Sequence, residues 1–264
     1  MASTPVVFVH GLWLHADSWG PWIERFTEAG YAPIAPGWPG DAATVEQTRA
    51  DADAVAGHGI DDVVDGYAKA IADLGTKPIV IGHSFGGLIT QRLLGDDLAA
   101  AGVAIDAAPI KGVLYLPPSA LRVASVALRN PANRDRAVSL SQDQFRYGFG
   151  NTLSDTESNE LFERWTIPSP GKPLFEAASA NVQGHSPAKV NTGNSKRGPL
   201  LLTAGGKDHT VPASITRSTL KQYRHSSAIT DFKEFSDRGH CLAIDARWGE
   251  VADYVLGWLK KHDL

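Results

Sequence analysis

The chain has 264 residues and a mass of 28.2 kDa, a length that allows one large domain or one domain carrying an insertion. Its hydrophobic share of 43%, charged share of 20% and net charge of −4 are ordinary for a folded globular protein. The net negative charge gives no indication of a basic surface for nucleic acid or of a polybasic patch for a membrane surface. The single cysteine, Cys241, excludes an internal disulfide framework and an all-cysteine metal cluster.

The N-terminal sequence lacks the basic segment and the long apolar run of a signal peptide. No stretch approaches the ~18 apolar residues that a membrane-spanning helix needs. A lone cysteine also fits a reducing compartment. We therefore expect a soluble, cytoplasmic protein.

Short apolar runs closed by glycine or proline predict buried strands at residues 6–9, 79–81, 113–116 and 200–203. Such compact, non-alternating runs are typical of strands buried on both faces of a parallel sheet. Helical patterns lie between and after them, at residues 60–74, 85–94 and 251–259. The alternation predicts the α/β class, with an open and mostly parallel sheet flanked by helices.

The alternation of strands and helices breaks down over residues 117–197. This stretch is polar, rich in Ser, Asn and Pro, and interrupted by aromatic residues. A capping-box pattern from Ser154 to Glu157 precedes an apolar helical stripe. We interpret residues 117–197 as a mostly helical insertion, and residues 1–116 and 198–264 as the core domain. The alternative is an extra packing layer with no role in chemistry.

The strongest chemical signal is the sequence Gly82-His83-Ser84-Phe85-Gly86, between the predicted strand at 79–81 and the predicted helix at 85–94. A G-x-S-x-G at a strand-to-helix junction is typical of a nucleophile elbow. The tight turn requires glycines, and a strained serine backbone lifts the hydroxyl clear of the sheet. The pattern predicts that Ser84 is a nucleophile.

A serine nucleophile needs a base, and the base needs an orienting acid. Asp208 follows the predicted strand at 200–203, and His240 follows another short strand further along the chain. The carboxyl ends of parallel strands share one edge, where ligands bind. We therefore expect Ser84, Asp208 and His240 to meet there, with Asp237 and Asp245 as rival acids.

Three other patterns are weaker. A buried core role is favoured for Cys241, because a reactive thiol needs its own base and an electropositive setting. His58, Asp61 and Asp62 lack the spacing of a metal site, and the turn at 205–207 lacks the spacing of a phosphate loop. We expect no metal and no cofactor.

With these motifs the chain resembles the α/β-hydrolase fold family. The resemblance implies Ser84 as nucleophile, His240 as general base and acid, and Asp208 as orienting acid. The stretch at residues 9–13 resembles the family's oxyanion loop, which implies that the backbone N–H groups of Leu12 and Phe85 hold the oxyanion.

The insertion at 117–197 resembles the family's cap, which sets substrate choice. We expect its aromatic side chains and neighbouring core residues to form the substrate pocket. The residues expected there, from position alone, are Trp13, Leu116, Phe145, Tyr147, Phe149 and Leu242.

The resemblance implies a serine hydrolase that cleaves carboxylic esters of small to medium apolar substrates through an acyl-enzyme on Ser84. Lactonases, amidases, carbon–carbon bond hydrolases and hydroxynitrile lyases of the same fold use the same triad, and non-catalytic receptors can retain it. These alternatives stay open, because fold does not determine function. The expected partner is a small ester-like molecule, without nucleic acid or stable membrane association, bound by a monomer or homodimer.

Overall fold

The computed structural model describes residues 3–264. In chain order its strands are β1 (Pro5–Val9), β2 (Ala32–Ile34), β3 (Ile79–His83), β4 (Ala101–Ile105), β5 (Ala137–Val138), β6 (Ser169–Pro170), β7 (Leu200–Gly205) and β8 (Thr230–Phe235). Six of them form one parallel sheet in the order β2-β1-β3-β4-β7-β8. Strands β5 and β6 form a separate antiparallel pair.

The α-helices are α1 (Gly20–Glu28), α2 (Val45–Ala50), α3 (Ile60–Asp73), α4 (Phe85–Gly95), α5 (Pro118–Leu128), α6 (Gln142–Gly148), α7 (Asp155–Trp165), α8 (Lys172–Ser179), α9 (Ala213–Gln222) and α10 (Trp248–Lys261). Short 3-10 turns include Ala16–Trp19 and His240–Ala243. Across residues 3–264, no helix combines the length and the apolar character needed to cross a membrane. The predicted parallel sheet flanked by helices is confirmed.

Helices cover both faces of the sheet. Side chains alternate along a strand, so Val7 and Val9 join a core with α3 and α4. Val6 and Phe8 point the other way, into a core with α1 and α10. Both faces are therefore filled with apolar side chains, and the carboxyl edge of the sheet is left for the candidate site.

One strand prediction is wrong. Residues 113–116 form an irregular loop in which Leu114 is 82% exposed and Tyr115 is 66% exposed. The strand of this region is β4, whose sequence is Ala-Gly-Val-Ala-Ile. Small residues are required there, because a Cβ on Gly102 would lie 3.0 Å from the Leu94 side chain and 3.3 Å from Leu200. Close packing therefore explains why the sequence of β4 does not have the pattern that predicts a strand.

The 117–197 segment lies between β4 and β7, which pair directly in the sheet. It contains α5 to α8 and the β5–β6 pair. Ser154 caps α7 by accepting the Glu157 N–H at 3.2 Å, whereas the Glu157 carboxylate accepts from Ala246 N at 2.9 Å instead of closing the predicted box. The Trp13 N–H donates to Ser169 Oγ at 2.6 Å, which ties the segment to the loop after β1.

Candidate active site

Ser84 occupies a strained turn between β3 and α4. Its φ of 57° lies in the left-handed region, which a residue with a side chain rarely adopts. The turn is so tight that a Cβ on Gly82 would lie 2.1 Å from the Gly86 carbonyl oxygen, and a Cβ on Gly86 would lie 2.1 Å from the Val9 carbonyl oxygen. These close approaches explain the two glycines and hold Ser84 at the carboxyl edge of the sheet.

Asp208 and His240 are brought together from the ends of β7 and β8. His240 Nδ1 lies 2.6 Å from Asp208 Oδ2, and both side chains are fully buried. The other carboxylate oxygen of Asp208, Oδ1, accepts the backbone N–H groups of Thr210 at 2.7 Å and Val211 at 2.9 Å. Burial alone would raise the pKa of Asp208, but His240 and the hydrogen bonds hold that pKa below its usual value. The ionised Asp208 therefore accepts the Nδ1–H of the His240 ring and leaves Nε2 as the atom that can act as a base.

The His240 ring lies between two aromatic side chains. Its centroid is 4.5 Å from the His83 ring and 4.7 Å from the Phe149 ring. His83 Nε2–H donates to the His240 carbonyl oxygen at 2.9 Å, and the Cys241 N–H donates to the Phe149 carbonyl oxygen at 3.2 Å. Burial, followed by the nearby His240, lowers the pKa of His83 to about 3, so His83 is neutral.

His240 Nε2 has no hydrogen-bond partner within residues 3–264, although it is buried. The Ser84 hydroxyl is not hydrogen-bonded to it in this structure. Catalytic hydrogen bonds are often long without substrate and tighten in the complex. The unpartnered nitrogen is thus the atom that is free to accept a proton.

The two rival acids are engaged elsewhere. Asp237 is exposed and its Oδ2 lies 2.6 Å from Arg247 Nη1. Asp245 forms a buried ion pair with Arg238. Neither carboxylate is hydrogen-bonded to His240 in the described residues. Cys241 is fully buried, and burial raises the pKa of its thiol well above the ordinary value.

Asp106 is a second carboxyl beside this pair and is not among the site residues predicted from the sequence. Asp106 follows β4 directly, is fully buried and has a φ of 44°. Its Oδ1 accepts the Gly205 N–H at 2.8 Å, and its Oδ2 lies 3.9 Å from His240 Nδ1. Asp106 follows a buried strand directly, the same pattern that predicted Asp208. The pattern could not be recognised, because the strand was predicted at residues 113–116.

The loop after β1 passes close to Ser84. A Cβ on Gly11 would lie 2.7 Å from Ser84 Cβ. In residues 3–264 no acceptor is hydrogen-bonded to the N–H of Leu12 or of Phe85, the first residue of α4, where N–H groups lack intrahelical partners. These two N–H groups are available to a bound anion.

An apolar cavity of about 210 Å³ opens beside Ser84. Helices α5 and α8 form much of its wall, and no charged side chain lines it among the described residues. An apolar cavity of about 150 Å³ in another protein stays dry and binds benzene. The cavity therefore fits a neutral, apolar group at least as large as an aromatic ring.

Two of the six expected pocket residues, Trp13 and Leu116, line this cavity. The cavity is not lined by the other four expected residues, which are Phe145, Tyr147, Phe149 and Leu242. Phe145 and Phe149 stack on each other at 5.0 Å within the core, and Tyr147 packs on His209 at 4.8 Å. Leu242 belongs to the core on the opposite face of the sheet. Helix α6 faces the turn around Asp208 instead of the cavity. For this reason the aromatic residues in and directly after α6 do not line the cavity.

A sequence model of the alpha/beta hydrolase family matches residues 6–254. The (E)-2-((N-methylformamido)methylene)succinate hydrolase of Acinetobacter baylyi is 27% identical over 226 residues, which cover 85% of this chain and 80% of that protein. Among solved structures, the monoacylglycerol lipase of Paleococcus ferrophilus matches with a TM-score of 0.67 at 22% identity, over 98% of this chain and 94% of that one. A methylesterase from Arabidopsis matches with a TM-score of 0.67 at 15% identity, over 97% of this chain and 98% of that one. At such identities the structural matches show a shared fold.

Proposed function

Since this chain belongs to the alpha/beta hydrolase family, we propose that it hydrolyses carboxylic esters with Ser84, His240 and Asp208. The observation that carries the proposal is the buried 2.6 Å contact between His240 Nδ1 and Asp208 Oδ2, beside a strained serine that opens on an apolar cavity. The similarity to a hydrolase, a lipase and a methylesterase supports hydrolysis as the reaction class.

In the proposed reaction, Ser84 Oγ attacks the ester carbonyl carbon while His240 Nε2 takes the hydroxyl proton. The tetrahedral intermediate collapses, the carbon–oxygen bond to the alcohol breaks, and His240 returns the proton to the leaving alkoxide. Water then attacks the acyl-enzyme, His240 takes a proton from it, and the acid leaves as Ser84 is reprotonated. Asp208 stabilises the imidazolium that forms in each half-reaction.

The N–H groups of Leu12 and Phe85 are the proposed donors to the oxyanion. Their availability and the close approach of Gly11 to Ser84 support this assignment. In subtilisin, the loss of one such donor costs about 2.7–4 kcal/mol of transition-state stabilisation. The α4 dipole adds a partial positive charge at the same point.

The proposed substrate places a neutral, apolar acyl group in the cavity. Burial of a carboxylate there would leave a charge without a partner, since no cationic side chain lines the cavity in residues 3–264. The name of the Acinetobacter relative specifies a succinate, a dicarboxylate. For this reason we propose a different substrate for this chain, namely esters of uncharged acids.

The 117–197 segment is the proposed cap. Leu121, Val123 and Leu174 line the cavity from α5 and α8. The segment is also hydrogen-bonded to the loop after β1 through Ser169 and to the turn after β7 through Asn151, whose Nδ2 donates to the Lys207 carbonyl oxygen at 2.8 Å. In this proposal the cap both shapes the acyl pocket and supports the loops that carry the reacting groups.

Hydrolysis of p-nitrophenyl acetate, butyrate and octanoate by wild type and Ser84→Ala tests the function. We expect turnover of the wild type, an initial burst if deacylation is slow, and a loss of at least about 10³-fold in kcat in the variant. Ser158→Ala removes another buried serine hydroxyl, which does not line the cavity, and is expected to leave turnover unchanged. Equal turnover in Ser84→Ala and wild type would refute the nucleophile. Labelling of Ser84 by a fluorophosphonate without turnover of any ester would refute the ester specificity.

A further inference from the structure

Asp106 is a buried titratable group that the proposed mechanism does not use. One side-chain atom each of Asp106, Asp208 and His240 lie within 4.8 Å of one another, and all three residues are buried. If the Asp106 carboxyl only accepts hydrogen bonds, its Oδ2 has no partner in residues 3–264. A fully buried carboxylate oxygen without a donor is costly, whereas a protonated one is itself a donor.

The surroundings determine which of the two carboxyls keeps its proton. Asp208 accepts from two backbone N–H groups and from His240, whereas Asp106 accepts from the Gly205 N–H. Two neighbouring carboxylates in a buried site cannot both ionise easily, so the proton goes to the group with fewer donors. Burial, and then the charge of Asp208, raise the pKa of Asp106 well above its usual value, and Arg238 opposes this only in part.

A carboxyl oxygen of Asp106 and one of Asp208 lie within 4.8 Å of each other, and Asp106 Oδ2 is buried without another partner in residues 3–264. We infer that Asp106 is a positioning residue: its protonated Oδ2 donates a hydrogen bond to the Asp208 carboxylate and holds that acid in place beside His240. The inference rests on the proposed function for its kinetic consequence, but the shared proton between the two carboxyls does not depend on any substrate.

The hydrogen bond would have two effects on His240. It restricts the Asp208 carboxylate to the orientation that accepts Nδ1–H, and it withdraws negative charge from that carboxylate. Without the donor, Asp208 becomes a stronger partner for the imidazolium, and the acid limb of the kcat/KM profile moves to higher pH. The charged or titratable groups that face Asp106 are Asp208, His240 and Arg238, with neutral His83 beyond the histidine ring.

Asp106→Leu and Asp106→Asn separate this role from simple packing. Leucine has the same branching at Cγ as aspartate, although it is larger, and it has no donor, so kcat for p-nitrophenyl butyrate is expected to fall about 10- to 100-fold with little change in KM, because a hydrogen bond to a charged group is lost. Asparagine carries a neutral N–H donor and is expected to restore most of the lost kcat and the position of the acid limb. Thr203→Val, at a fully buried hydroxyl on β7 without a partner in the described residues, is the matched control.

Wild-type kcat and an unmoved acid limb in Asp106→Leu would overturn the inference, as would a loss in Asp106→Asn equal to that in Asp106→Leu. Infrared spectroscopy at neutral pH gives a test that needs neither turnover nor the leucine variant. The band of a protonated, buried carboxyl is expected in wild type and in Ser84→Ala, and is expected to vanish in Asp106→Asn. Absence of that band from the wild type would overturn the inference even if ester hydrolysis is demonstrated.

Discussion

Replacement of Asp208 with asparagine is expected to reverse the direction of the hydrogen bond at His240. Asp208 Oδ1 accepts the N–H groups of Thr210 and Val211 at 2.7 and 2.9 Å, so in Asp208→Asn the amide oxygen takes this position. The amide NH₂ then faces His240 Nδ1 and requires that nitrogen to accept. The ring proton moves to Nε2, which can no longer take a proton from Ser84.

The size of the effect follows from the two backbone donors. Rotation of the new amide to restore the active tautomer would leave the buried Val211 N–H and the partly buried Thr210 N–H without an acceptor, at about 1–3 kcal/mol each. A total of about 2–6 kcal/mol corresponds to an active fraction reduced about 30-fold to 3 × 10⁴-fold. We expect kcat to fall about 10³-fold, in the direction of the ~10⁴-fold loss measured for the corresponding change in a chymotrypsin-type protease. Asp106 does not substitute, because its Oδ2 lies 3.9 Å from Nδ1.

The assay is steady-state hydrolysis of p-nitrophenyl butyrate at pH 7.5, with the melting temperature measured in parallel. Asp237→Asn is the control, since Asp237 is exposed and pairs with Arg247. It is expected to stay within about twofold of wild type, as is usual for a surface ion pair. An Asp208→Asn variant that keeps more than a tenth of the wild-type kcat would refute the reasoning, and so would an equal loss in the control.

Three further outcomes are expected. The pKa of His83 is about 3 in the folded state and 6.5 without perturbation, so between these pH values the unfolded state binds more protons than the folded state. The free energy of unfolding is therefore expected to fall as the pH decreases from 6.5 towards 3, by up to about 1.4 kcal/mol per pH unit. Urea titrations above and below pH 6 should show this decline in wild type and a shallower one in His83→Gln; parallel declines would contradict it. Ala120→Phe, which fills part of the cavity, is expected to lower kcat/KM at least about tenfold for octanoate relative to acetate, and an unchanged ratio would place the acyl group elsewhere. Asp245→Ala removes the buried carboxylate partner of Arg238 and leaves, among the described residues, only the 3.5 Å ion-pair contact with the exposed Glu250, so it is expected to reduce the free energy of unfolding by about 3 kcal/mol in denaturant titration; a loss below about 1 kcal/mol would show that the pair is not important for stability.

Local sequence determined the parts of the site that depend on local backbone geometry. The glycines around Ser84 are required because an added Cβ on Gly82 or Gly86 would lie 2.1 Å from a neighbouring carbonyl oxygen, and the G-x-S-x-G pattern in the sequence reports this requirement. The position of Asp208 at this edge was predictable because it follows a buried, leucine-rich strand, and parallel strands align their carboxyl ends. Helix α3 matched its apolar periodicity, with bounds of Ile60–Asp73 against a predicted 60–74.

Only the tertiary structure decided the features that arise from contacts between distant segments. Strand β4 carries alanine and glycine at three of its five positions, and at Gly102 the side chains of α4 and β7 leave no room for a Cβ, so the local sequence did not predict the strand or the acid that follows it. Phe149 lies against His240 instead of the cavity, since His209 and Thr210 are hydrogen-bonded to the Tyr147 and Gly148 carbonyl oxygens and hold the end of α6 at the turn around Asp208. Hydrophobic character predicted burial for these side chains, but the direction in which each one points depends on neighbours that lie far away in the chain.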